Sequence, residues 1–125
     1  MRYRLTLITS IIIIILSVIP IPEIKNLEDV PLIDKWVHFV MYGSLTFAIY
    51  IDRRIIKQDI NTIFIFFAFL FPTILGGLLE IIQEYCTTIR TGEVLDFYAD
   101  AIGALIGTII SLLIWIILAK YSNQR

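Results

Sequence analysis

Two apolar runs, residues 61–84 and 97–119, are each long enough to cross a bilayer as a helix, and only a short polar loop separates them. A chain built this way has one simple arrangement. The runs fold back on each other, and the polar residues at their facing ends collect at one depth. Those residues are Glu80, Gln83, Glu84, Arg90, Asp96 and Asp100. Ionisable groups at membrane depth are expensive and face a protein interior or a watery cavity, so the cluster reads as a functional site.

The rest of the chain points to the same solvent. A chain of 125 residues leaves room for one domain. With 58% hydrophobic residues and a mean hydropathy of +0.88, it carries more apolar side chain than a polar surface could hide, whereas lipid solvates it directly. The single cysteine, Cys86, excludes an internal disulfide and a multi-cysteine metal site; it has no paired base in its own segment and reads as a packing or interfacial residue. No Gly-rich phosphate loop, zinc-protease motif or basic nucleic-acid stretch is present, so a nucleic-acid partner is not expected.

The expected fold is all-α: one membrane domain over 1–125, a bundle of four transmembrane helices spanning about 4–20, 35–51, 61–84 and 97–119. Arg2 and Arg4 precede the first run, as in a signal peptide. The segment ending it lacks small residues at alternating positions, so an uncleaved helix stopped by Pro20 and Pro22 is expected. Trp36 suits an interfacial aromatic position, and Pro72 marks a kink in the third span. Arg2, Arg4, Arg53, Arg54, Lys57, Lys120 and Arg125 flank one side of this bundle; Lys25, Lys35 and Arg90 flank the other. The positive-inside rule then puts both termini in the cytoplasm of a bacterial cell and the polar cluster on the extracytoplasmic side of the inner membrane.

Helical spacing gathers the polar residues into three stripes, because residues three or four apart share a face. They are Asp34, His38, Tyr42 and Thr46; Thr73, Gly76 or Gly77, Glu80 and Gln83 or Glu84; and Asp96, Asp100, Gly103 or Ala104, Gly107 and Ser111. Gly103 and Gly107 form a GxxxG pattern that lets helix backbones approach closely, so the polar groups should point into the bundle above a tight helix contact.

At these residues the chain resembles the VanZ-like family of small bacterial membrane proteins. The matching pieces are Asp34-Lys35-Trp36-Val37-His38-Phe39 with Tyr42, then Glu80-Ile81-Ile82-Gln83, Arg90, and Asp96 through Asp100 to Gly103 and Gly107. Asp100 stands where many members carry asparagine, which adds a carboxylate. The family's name member is associated with resistance to the lipoglycopeptide teicoplanin. The resemblance therefore implies an envelope-related role on the outer face, and it implies no particular reaction.

The resulting expectation is a pocket that binds an amphiphilic envelope molecule: a lipid headgroup, a lipid-linked wall intermediate or a lipoglycopeptide. In its catalytic form His38 and Glu80 act as the acid–base pair and Asp34 orients the His38 ring. Arg90 contacts an anion through its planar fork, with Gln83, Tyr42 and Lys35 beside it. Glu84 and Glu93 read as solvated loop charges. No metal or other cofactor is assigned; Asp96 and Asp100 are the residues that would ligate one. Whether the chain is an enzyme, and its oligomeric state, are left open. Two other classes compete: a non-catalytic binding or assembly module whose polar cluster is structural, and a small transporter, disfavoured by few polar residues in the other halves of the helices.

Overall fold

A computed structural model describes residues 2–19, 31–86 and 92–122, and all of its regular structure is helical. The four helices are α1 (Arg4–Val18), α2 (Ile33–Ile55), α3 (Thr62–Cys86) and α4 (Val94–Ser122). The structure places α3 and α4 as antiparallel neighbours. Both are long and apolar enough to cross a membrane. The two other expected spans look different. α1 is apolar but short, and α2 begins and ends in charge, with Asp34 and Lys35 at one end and Asp52, Arg53 and Arg54 at the other.

Local chemistry sets the helix ends. The Asn61 side-chain oxygen accepts the Phe64 amide at 2.8 Å and caps α3. Leu32, just ahead of α2, and Lys57, just after it, both adopt the left-handed conformation, with φ of 58° and 53°. At Lys57 this turn closes α2, its amide donating to the Arg54 carbonyl. α3 runs through Pro72, which is buried.

α2 packs most extensively on α4; α3 packs on both, and α1 packs on α2 and α3. The α2–α4 contact depends on glycine. A Cβ on Gly103 would overlap the Phe39 carbonyl oxygen, and one on Gly107 would come within 2.8 Å of the Gly43 carbonyl oxygen. The expected close approach at Gly103 and Gly107 is therefore made against backbone of α2.

The pattern of burial inverts that of a water-soluble bundle. α1 buries Thr6, Ser10, Ile13 and Ser17, while Leu7, Ile8, Ile11, Ile12 and Ile15 face out. α3 and α4 likewise expose Phe66, Ile74, Leu78, Ile102, Leu105 and Leu113. Such continuous outward apolar surface suits contact with lipid tails. Inside lie two small apolar clusters, one around Ile13, Tyr42, Leu45 and Leu79, the other around Ile49, Tyr50, Phe64 and Ala68.

One polar contact was not visible in the sequence. Asp52, 2% exposed, accepts the Leu5 amide at 3.3 Å and both the Thr6 amide and hydroxyl at 2.8 Å. It thereby ties the start of α1 to the end of α2. Beside Arg53 and Arg54 it reads as a loop charge; the spacing Thr6, Ser10, Ser17 is the signal that α1 has an inward polar face.

Candidate functional site

At the opposite end of the bundle, the start of α2, the end of α3 and the start of α4 meet. The i, i+4 register of α2 turns His38, Tyr42 and Thr46 inward, and all three are buried. In α3 the same rule buries Gly76, Glu80 and Gln83, and leaves Glu84 exposed one turn further out. α4 buries Asp96, Asp100, Gly103, Gly107 and Ser111 along one line. His38 and Glu80 are both 8% exposed and Asp100 is fully buried.

His38 is the hub. Its Nδ1 shares a hydrogen bond with Asp100 Oδ1 at 2.9 Å and stands 3.7 Å from Glu80 Oε1. Its Nε2 stands 3.8 Å from Asp96 Oδ2, and its ring lies nearly parallel to that of Tyr42. Tyr42 packs in one apolar cluster with Ile13 of α1. Gln83 donates to the Ser17 carbonyl at 2.9 Å, so both residues serve the α1 contact. Glu80 is held from its other side, its Oε2 accepting the Glu93 amide at 2.8 Å.

This arrangement changes three of the expected roles. Asp34 does not orient His38; Asp100 does. Asp34 sits in the first turn of α2, at the rim, and pairs with Lys35, whereas Asp100 reaches the ring from across the α2–α4 interface. Lys35 is no free anion contact. Its ammonium is surrounded by Asp34, Glu93 and Asp96, the last at 2.9 Å as an ion pair without good hydrogen-bond direction. Glu84 and Glu93 are both exposed, as expected of solvated charges, but Glu93 also joins this network and Glu84 accepts the Gly92 amide at 3.1 Å. Arg90, the expected anion ligand, lies outside the described residues.

The electrostatics are lopsided. Among the described residues, Asp34, Glu80, Glu84, Glu93, Asp96 and Asp100 face only Lys35 and His38. Asp34 and Asp96 sit in first turns, where the positive ends of α2 and α4 favour them. Asp34, ahead of the apolar part of α2, loses some solvent, which disfavours its charge; the Lys35 ammonium outweighs that and holds the carboxyl below its usual range.

A cleft of about 370 Å³ opens between the ends of α3 and α4, lined by Glu80, Glu84 and Glu93 and by Ile81, Val94 and Phe97. Glu80 thus forms both a wall of the cleft and part of the buried cluster. A second cleft, about 520 Å³, lies at the other end near Arg53, Asn61 and Phe64, away from His38, Glu80 and Asp100. No family model, curated protein or solved structure matches this chain.

Proposed function

We propose that this is a multi-pass protein of the bacterial cytoplasmic membrane, a VanZ-like four-helix bundle with both termini in the cytoplasm. Its polar pocket faces outward and binds an amphiphilic molecule of the cell envelope. The observation that carries the reading is the α3–α4 cleft. Its lining combines carboxylates with apolar side chains, and it is continuous through Glu80 with the buried His38. An amphiphile fits such a surface with its headgroup at the carboxylates and its tail along Ile81, Val94 and Phe97. The acid-rich wall favours a headgroup that presents hydroxyl or ammonium donors. The charge asymmetry of the loops supports the orientation.

The same cluster has the parts for proton transfer. His38, flanked by Glu80, Asp96 and Asp100, can take a proton from a bound hydroxyl and return it through a carboxylate. A binding role needs only the cleft; catalysis needs His38 as well.

Two measurements on one protein test this. Cys86 is the sole cysteine and is exposed at the cluster end of α3, so a membrane-impermeant thiol reagent should label it in intact cells. Native mass spectrometry of the detergent-purified protein should show a co-purified lipid that Glu80→Gln loses at unchanged helicity. Labelling of Cys86 only after cell lysis would overturn the orientation. Lipid retained equally by Glu80→Gln, at full envelope-drug resistance, would overturn the binding role.

A second reading is favoured by the helix-crossing bonds themselves, since His38–Asp100 and Lys35–Asp96 both join α2 to α4. On that reading the cluster is structural, and any phenotype of Glu80→Gln follows the amount of folded protein.

A further inference from the structure

We propose that His38, Glu80 and Asp100 form the binding site of one divalent transition-metal ion of the zinc type. One imidazole nitrogen and two carboxylates are brought together from three different helices, with ligand atoms all within 4.8 Å of one another. The spacing suits a shared ion. Nitrogen and oxygen ligands about 2.0–2.2 Å from zinc stand roughly 3.3–3.6 Å apart at tetrahedral angles. Here His38 Nδ1 is 2.9 Å from Asp100 and 3.7 Å from Glu80, values that bracket that range.

Asp100 adds an independent observation. It is fully buried, and while Oδ1 meets His38, Oδ2 has no hydrogen-bond partner among the described residues. A carboxylate oxygen in that position is costly unless something positive reaches it. Gly76 lets the carboxylate pack directly against α3, since a Cβ there would overlap Oδ2.

The surroundings also resemble those of a metal histidine. With Nδ1 turned to the ion, Nε2 faces the Asp96 carboxylate, the partner that fixes tautomer and ring orientation in such sites. The neighbouring trio Asp34, Glu93 and Asp96 has similar spacing but already surrounds the Lys35 ammonium, so its cation is supplied by the chain. Among the described residues the inner trio has only His38, which as a metal ligand is neutral. Glu80 lines the cleft, which gives the ion a route in. The inference rests on the cluster alone and not on what occupies the cleft.

The test uses the full chain purified in detergent, stripped with a chelator and titrated separately with zinc and with cobalt. Metal per chain is counted after desalting, the visible absorption of bound cobalt is recorded, and melting temperature is followed with and without zinc. The expected result is one ion per chain and a zinc-dependent rise in melting temperature that chelator reverses. Asp100→Asn and Glu80→Gln should weaken binding by more than about tenfold, and Asp96→Asn by about 10–100-fold. Asp59→Asn, at the opposite end, should bind as the wild type does. A wild-type chain that retains neither metal and whose melting is indifferent to zinc overturns the proposal. So does equal binding by folded Asp100→Asn. Lipid retention is measured on the stripped protein, so failure of this site and failure of the amphiphile reading are separate results.

Discussion

Replacing Gly103 by alanine tests the fold and the site together. In α4, Gly103 lies against the α2 backbone. An added Cβ would overlap the Phe39 carbonyl oxygen and stand 3.0 Å from both its carbonyl carbon and its Cα. Carbon atoms prefer about 3.5–4.0 Å, so the helices must part by about 0.5–1 Å. Neither neighbour is a flexible side-chain end, so the strain spreads along the interface. Overpacking of this kind costs about 1–3 kcal/mol, and rigid backbone on both sides points to the upper end. Alanine returns about 1 kcal/mol through its better helix propensity. The net expectation is a loss of about 2 kcal/mol. Gly107→Ala should lose less, because its Cβ stops 2.8 Å from the Gly43 oxygen, and Gly43→Ala should be close to neutral at 3.2 Å from the Gly103 oxygen. The assay is thermal melting in detergent across the three variants. A melting temperature for Gly103→Ala at or above the wild type, or Gly43→Ala as the worst of the three, would refute the packing argument. Asp100 sits one turn before Gly103, so the same variant should loosen its 2.9 Å bond to His38.

Asp52→Ala should detach the start of α1, because the Leu5 and Thr6 amides lose their acceptor in a place shielded from water. The expected cost is about 2–3 kcal/mol, read as faster hydrogen exchange of residues 5 and 6, with Asp52→Asn milder. Lys35→Met should destabilise by about 2 kcal/mol: a buried pair costs about 3–5 kcal/mol to break, but two of the three carboxylates are half-exposed. Adding Asp96→Asn to Lys35→Met should recover much of that loss in a double-mutant cycle, and failure to do so would mean that Asp96 is not the partner that matters.

How far the sequence exposed this site depends on what each inference needed. The inward stripes on α2, α3 and α4 followed from i, i+4 spacing alone, because in so apolar a chain the rare polar residues mark the buried face. Glu80, deeper than Glu84, followed the same way. Choosing the partner of His38 was a different problem. Asp34 is its neighbour on one helix, yet a first-turn residue of α2 stays at the rim. The pairing with Asp100 depends on the register of α2 against α4, which Phe39, Gly43, Gly103 and Gly107 set by how closely their backbones approach. Asp52 was hidden for a similar reason, since its partners lie on α1, more than forty residues away.

That register also bears on what the cluster is for. Asp96 has Lys35 as its counter-charge, at 2.9 Å. Glu80 and Asp100 share His38, and one imidazole can neutralise at most one carboxylate. Burial makes the remaining charge expensive, and among the described residues no second cation faces it. A purely structural cluster would do better with apolar residues of similar volume, because buried ion pairs seldom stabilise more than the packing that could replace them. Two carboxylates around one imidazole, with one Asp100 oxygen left without a hydrogen-bond partner among the described residues, are the features that the proposed cation site would account for. Because Glu80 borders both this trio and the cleft, a ligand entering between α3 and α4 meets that charge balance directly.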